Sequence, residues 1–346
     1  MAKSPLLTFL RCLLLLSAMI VSNGPRSAQA ENPLGPMPDP ISATGDRFGP
    51  SHPIPLWSGR PPGAIGNGPE DKPRLYVFLP DRPSGQTSVL LLPGGGYSAV
   101  ALGREGFQVA RWLNAQGVAA FVLDYRVAPY RYPVPIDDGR RAMRLIRARA
   151  LDFGIDPHRL GAWGFSAGGH LAASLATGCG KVNDQEPHDN IDRLSCRPDF
   201  LILAYALTSM DWPGVNRNSL ADLFGPRPDP ELVHRSTTQF AVSADTPPTF
   251  LFATTRDPRV RVENSVDFYR ALAEAGVSAE LHLFDYANHG CGLCGGIPAL
   301  ASWTSLLRAW LIRRSLMPAS APLVPVPASD YPLWPAGFDG PGRRGW

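Results

Sequence analysis

The chain has 346 residues, 44% of them hydrophobic, with 33 lysines and arginines against 30 aspartates and glutamates. That length carries one large domain or two small ones, and 34 glycines with 37 prolines imply many turns while staying below the roughly 25–30% that marks low-complexity chains. Beyond residue 30 no apolar run reaches the roughly 20 residues of a membrane span, which excludes a polytopic membrane protein, and the slight basic excess keeps an anionic partner open until the charge is located.

In chain order, the first element is a leader. Lys3 and Arg11 precede the apolar run of residues 12–21, and Ala28-Gln29-Ala30 supplies a small-x-small exit. This predicts a secretory signal peptide over 1–30 rather than an uncleaved anchor, with a mature protein that is periplasmic or secreted and free of the membrane. Lys3, Arg11 and Arg26 leave with it, so 30 basic and 30 acidic residues remain. The basic excess belongs to the leader, and nothing in the mature chain calls for nucleic acid. Cys12 also leaves, and in an oxidising compartment Cys179, Cys196, Cys291 and Cys294 pair most economically as 179–196 and 291–294. Cys291-x-x-Cys294 could instead serve redox or zinc chemistry, but a zinc site normally takes a second pair at similar spacing, which is absent. No metal is expected.

Residues 31–53 lack any period and read as an extended lead-in. Apolar runs at 75–79, 88–92, 118–125, 160–164, 200–205, 249–254 and 279–284 then alternate with helical patterns at 104–116, 137–153, 167–176, 262–275 and 298–313. Strands that are apolar nearly throughout, separated by helices, predict an α/β fold: a mostly parallel sheet covered on both faces, entered by one or two antiparallel strands, in a single domain over 54–315. The long segment 206–248 is the candidate lid or substrate wall. Residues 316–346 form a proline- and glycine-rich tail, either packed through Tyr331, Leu333 and Trp334 or disordered.

The chemistry centres on Gly164-x-Ser166-x-Gly168, placed between a strand and a helix. Flanking glycines let a serine sit on a sharp strand-to-helix turn, and the helix start aims N–H groups at any oxyanion formed there. A serine nucleophile needs a base with an orienting carboxylate. His52, His158, His188 and His234 lie in polar or proline-flanked stretches, His170 belongs to the helix after the turn, and His282 lies on a strand. His289 follows the last strand at the sheet edge that carries Ser166, and is the candidate base. Asp257, just beyond strand 249–254, is the candidate acid, with Asp285 as competitor. The glycine run Gly94-Gly95-Gly96 follows an early strand, so Gly95 or Gly96 joins Ala167 as a candidate oxyanion donor. A phosphate-binding loop would require a Gly-Lys-Ser/Thr that is absent. Tyr97 and Trp212 are candidate substrate contacts.

With these residues placed, the chain resembles the α/β-hydrolase superfamily, and within it the secreted acetyl esterase and feruloyl esterase-like group associated with xylan degradation. The likeness spans about residues 54–314 and rests on Ile54-Pro55-Leu56-Trp57, Pro93-Gly94-Gly95-Gly96-Tyr97, the 105–117 helix, Phe121-Val122-Leu123-Asp124-Tyr125-Arg126, Gly164-Phe165-Ser166-Ala167-Gly168-Gly169-His170, Asp257-Pro258-Arg259-Val260, Asn264-Ser265 and His289-Gly290. The chain departs from the group's pattern at Thr255-Arg256, where a second acid is common, and at Cys291 and Cys294, where apolar residues are usual. The resemblance implies a cofactor-free serine esterase acting on a small ester or an acetylated oligosaccharide such as one derived from xylan. Feruloyl or other aryl ester hydrolysis, a small peptidase of the prolyl-oligopeptidase type, and a carbohydrate-binding module without catalysis are the alternatives. Oligomeric state is left open.

Overall fold

The computed structural model describes residues 52–83, 85–179, 189–211 and 215–327. The expected leader, residues 31–51 of the lead-in, Trp212 and the tail from 328 lie outside them. Eight strands form one sheet: β1 (Ile54–Pro55), β2 (Arg74–Phe78), β3 (Ser88–Leu92), β4 (Ala119–Asp124), β5 (Leu160–Phe165), β6 (Leu201–Ala204), β7 (Thr249–Thr254) and β8 (Ala279–Phe284). Their spatial order is β1-β2-β4-β3-β5-β6-β7-β8. β1 pairs antiparallel with β2, and β2 with β4, whereas every pairing from β4 to β8 is parallel. The expected antiparallel entry into a parallel sheet is therefore found.

The central strands read as unbroken apolar runs because both faces are covered. Every residue of β3, β5, β6 and β7 is buried, as parallel strands between helical layers must be. On one face Trp163 packs edge-on to Trp112 and Trp303, and Trp303 stacks on Phe252 at 4.5 Å between ring centroids. Gly161 exists for the same packing: a Cβ there would lie 2.2 Å from the Phe200 ring. β8, at the sheet edge, is only partly buried and alternates in polarity, with Glu280 bonded to His282 and Arg313.

The helices are α1 (Gln108–Asn114), α2 (Val134–Ala148), α3 (Ala150–Phe153), α4 (Ser166–Gly178), α5 (Arg217–Phe224), α6 (Pro230–Arg235), α7 (Glu263–Glu274), α8 (Pro298–Ala301) and α9 (Trp303–Arg313). Two of the expected long helices are subdivided. The 104–116 pattern begins as a π-helical turn, Leu102–Phe107, before α1; Gly106 sits where a Cβ would come 2.6 Å from Val122, so the turn lies tight on the sheet. The 137–153 pattern breaks at Arg149, whose backbone leaves helical geometry (φ −108°, ψ 20°).

Segment 206–248 contains α5 and α6 where the sequence shows no helical period. Both are short and get their starts from capping: Asn216 accepts the N–H groups of Asn218 and Ser219, and Asp229 accepts that of Glu231 ahead of a Pro230 first turn. Phe224 meets the Tyr132 ring at 5.7 Å. Disulfide Cys179–Cys196 joins the end of α4 to the approach to β6, and Cys291–Cys294 closes the loop after His289, which are the two expected pairings. The first stretch of the tail joins the core through Met317 and Ala321.

Candidate active site

In a parallel sheet the carboxyl ends of the strands share one edge, and the loops that follow β3, β5, β7 and β8 meet there. Ser166 is the first residue of α4, directly after β5, with φ +52°, a left-handed conformation costly for a residue with a Cβ. The turn is possible because its neighbours approach too closely for side chains. A Cβ on Gly164 would lie 2.3 Å from the Gly168 carbonyl oxygen, and one on Gly168 would lie 2.0 Å from that of Leu92. Both contacts are with backbone, which cannot swing aside. Gly168→Ala is therefore expected to destabilise the fold by about 3 kcal/mol or more, at or beyond the top of the usual overpacking range, and to remove activity. Gly59→Ala, with nothing within 4 Å, should change unfolding by less than about 0.5 kcal/mol. Urea unfolding of the two variants checks the contrast.

Three sequence-predicted residues converge. His289 Nε2 lies 2.9 Å from Ser166 Oγ, and His289 Nδ1 lies 2.7 Å from Asp257 Oδ2. A carboxylate accepts, so Nδ1 carries the proton and Nε2 is left to accept the serine hydroxyl proton. The Asp257 side chain is 1% exposed and that of His289 9%. Asp257 Oδ1 is held by the N–H groups of Arg259 and Val260 at 2.8 and 2.9 Å, which fixes the carboxylate's orientation. The competing Asp285 is 81% exposed and paired with Arg256 at 2.8 Å. It points to solvent.

The glycine loop abuts the serine. A Cβ on Gly94 would lie 2.8 Å from Ser166 Cβ and 2.9 Å from the Phe165 carbonyl oxygen. Gly94 N–H donates to Glu105 Oε2 at 2.7 Å, which leaves Gly95 and Gly96 as the loop's candidate donors beside Ala167. Gly95 adopts φ +136° and Gly96 φ +66°. A Cβ on Gly96 would meet Ser219 Oγ of α5 at 3.3 Å, so the 206–248 segment does reach the loop.

Tyr97 is a correction. Its side chain is fully buried and its hydroxyl lies 2.7 Å from His170 Nδ1, so it offers no surface to a substrate. His170 Nε2 donates to the Ser236 carbonyl at 2.8 Å, which leaves Nδ1 to accept the Tyr97 proton. Burial pushes the His170 imidazole down to about 4, so it is a neutral strut between the glycine loop and the 206–248 segment. Trp212 lies outside the described residues. Among the described residues no cluster of His, Cys, Asp or Glu could hold a metal ion, and no helix is long and apolar enough to cross a membrane.

Sequence reasoning missed the layer behind these residues. Glu105, Arg104 and Tyr205 are buried there and bond to both the glycine loop and the His289 loop. The available signals were a charged pair inside an otherwise apolar helix pattern and a tyrosine at the carboxyl end of β6.

The chain is similar to known proteins in sequence and fold. An acetyl ester-xyloside bifunctional hydrolase from Caldicellulosiruptor lactoaceticus superposes with a TM-score of 0.72 at 38% identity, over 77% of this chain and 97% of that one, and the fold is the α/β-hydrolase fold. An acetylxylan esterase of Xylanibacter ruminicola is 34% identical over 227 residues, 64% of this chain and 44% of its own length. Endo-1,4-beta-xylanase B of Butyrivibrio fibrisolvens is 32% identical over 222 residues, 63% of this chain and 34% of its own length. The chain spans less than half the length of these two relatives. The BD-FAE family model matches residues 75–272, more than half of the sequence and the sheet from β2, apart from Arg74, to β7, and the chain belongs to that family.

Proposed function

We propose that the protein hydrolyses carboxylic esters through an acyl-enzyme on Ser166, and that its substrates are acetylated carbohydrates of the xylan type. The observation that carries the reading is the continuous pair of hydrogen bonds from Ser166 through His289 to Asp257, at 2.9 and 2.7 Å, in front of a glycine loop. His289 Nε2 takes the Ser166 proton as Oγ bonds to the ester carbonyl carbon, and the carbonyl electron pair moves onto oxygen. The N–H groups of Ala167 and of Gly95 or Gly96 hold that oxyanion, each such donor contributing about 3–4 kcal/mol to the barrier reduction. The C–O bond to the alcohol breaks, and Nε2–H protonates the leaving oxygen. Water then enters, loses a proton to Nε2, attacks the acyl carbon and releases the acid with Ser166 restored. Asp257 stays ionised and holds the imidazole in the required tautomer.

The choice of acetylated carbohydrate rests on the relatives, two of which are named for acetyl esters of xylan or xyloside. The leader and the two disulfides fit work outside the cytoplasm, where such polymers occur. Acetate release from acetylated xylan, measured beside hydrolysis of p-nitrophenyl acetate, p-nitrophenyl butyrate, methyl ferulate and a proline p-nitroanilide, tests it. Acetate release with p-nitrophenyl acetate the fastest of the small substrates is expected. Faster cleavage of ferulate or of the anilide, or no acetate from the polymer, would contradict the substrate assignment.

A further inference from the structure

Behind the Ser166, His289 and Asp257 constellation lies a second carboxylate that the mechanism above does not use. Glu105, 2% exposed, sits in the π-helical turn Leu102–Phe107, a helix irregularity often found at functional sites. Its Oε2 accepts Gly94 N–H at 2.7 Å and its Oε1 accepts the Tyr205 hydroxyl at 2.9 Å. The Tyr205 oxygen in turn accepts Gly292 N–H at 2.8 Å, and the Tyr205 ring stands edge-on to the His289 imidazole with centroids 5.1 Å apart. The neighbouring Arg104 donates to the Gly290 carbonyl at 2.6 Å. One buried turn thus holds the glycine loop from one carboxylate oxygen and the base loop from the other.

The bonding pattern is that of an ionised carboxylate. Gly292 N–H occupies an acceptor position on the Tyr205 oxygen, so the phenol proton is free to go to Glu105, and Gly94 N–H donates to the other oxygen. Both carboxylate oxygens accept, as an ionised group does. Burial raises the Glu105 carboxyl above its ordinary value, against the opposing pull of the Gly94 N–H, His289, the Tyr205 hydroxyl and Arg104, His289 more strongly than Arg104. The charged and titratable groups around it are Arg104 on its own turn, Tyr125 after β4, Tyr205 after β6, and His289 with its partner Asp257.

We propose that Glu105 is a positioning residue for the reaction: an ionised carboxylate that sets the glycine loop and the base loop relative to Ser166 and whose charge favours the protonated imidazole formed as the ester is attacked. This rests on the ester-hydrolysis reading above. Glu105 and His289 interact coulombically, and a nearby opposite charge moves a pKa by about one to three units, so the effect is large enough to read in a pH profile.

The test is the pH dependence of kcat/KM for p-nitrophenyl acetate in the full chain, which reports the base of the free enzyme. Glu105→Gln keeps size and shape but removes the charge. Its imidazole gives up the proton more readily, so the acid limb moves about one pH unit lower, and kcat falls about 10- to 100-fold with KM within about threefold. A merely structural residue would lower activity and leave the limb in place. An unmoved limb, or unchanged kcat, overturns the proposal. Should Glu105→Gln fail to fold by circular dichroism, Glu105→Asp keeps the charge and shortens its reach to Gly94 and Tyr205: kcat must then fall about 10-fold with the limb within about 0.3 pH unit of wild type, and an unchanged kcat or a limb moved by about one pH unit overturns the proposal. Ester hydrolysis absent in the wild type, or surviving in Ser166→Ala, sinks the catalytic reading itself, a result distinct from an unmoved limb in an active enzyme.

Discussion

Ser166→Ala is expected to lower kcat on p-nitrophenyl acetate by roughly four to six orders of magnitude, with the melting temperature within a few degrees of wild type. The size follows from what a single oxygen does. Without Oγ no acyl-enzyme forms, His289 has no proton to take, and the reaction falls back on water attack beside an oxyanion hole that still binds the carbonyl. The fold should persist because the strained turn is set by Gly164 and Gly168, whose backbone contacts alanine at 166 leaves untouched. Because serine and histidine act as one unit, Ser166→Ala combined with His289→Ala should be little slower than Ser166→Ala alone. Additive losses would mean that His289 serves some chemistry other than activating Ser166.

Asp257→Asn should cost about 10⁴-fold in kcat, and Asp285→Asn should stay within about twofold, since an exposed ion pair such as Arg256 with Asp285 contributes little. The asymmetry comes from hydrogen-bond bookkeeping at Asp257. Its Oδ1 accepts two backbone N–H groups, from Arg259 and Val260, so an asparagine must place its carbonyl oxygen there. Its NH2 then faces His289 Nδ1, which is forced to accept. The imidazole proton moves to Nε2, which points at Ser166 and can no longer take its proton. Steady-state kinetics on the two variants reads the difference, and a larger loss in Asp285→Asn would exchange the acid assignment.

Much of this site was legible in the sequence because each candidate sits at a strand end. An apolar run long enough to be a buried strand, followed within a few residues by Gly94, Ser166, Asp257 or His289, already places those residues at one sheet edge. The disulfide pairs followed from the same local economy. Less legible were features set by packing across the chain. Tyr97 reads as a candidate substrate contact, yet it is turned inward by φ +65° and a bond to His170, 73 residues away. Helices α5 and α6 span too few turns for a period to show and are announced only by their caps, Asn216 and Asp229. Glu105 lies in the helical pattern 104–116, whose spacing does not mark it as buried. Its burial depends on the helix opening as a π-turn pressed against β4, which no spacing in the sequence reveals.

Ser166 should be the nucleophile that becomes acylated. Incubation of the active protein with a fluorophosphonate, followed by peptide mass spectrometry, tests it most directly, since the reagent is captured by a serine whose hydroxyl is activated by a neighbouring base. One phosphonyl group per chain is expected, on the peptide containing Ser166, with ester hydrolysis lost in proportion to labelling and no label on Ser166→Ala. Full activity in a protein that takes up no label, or a label on another serine that tracks the loss of activity, would contradict it.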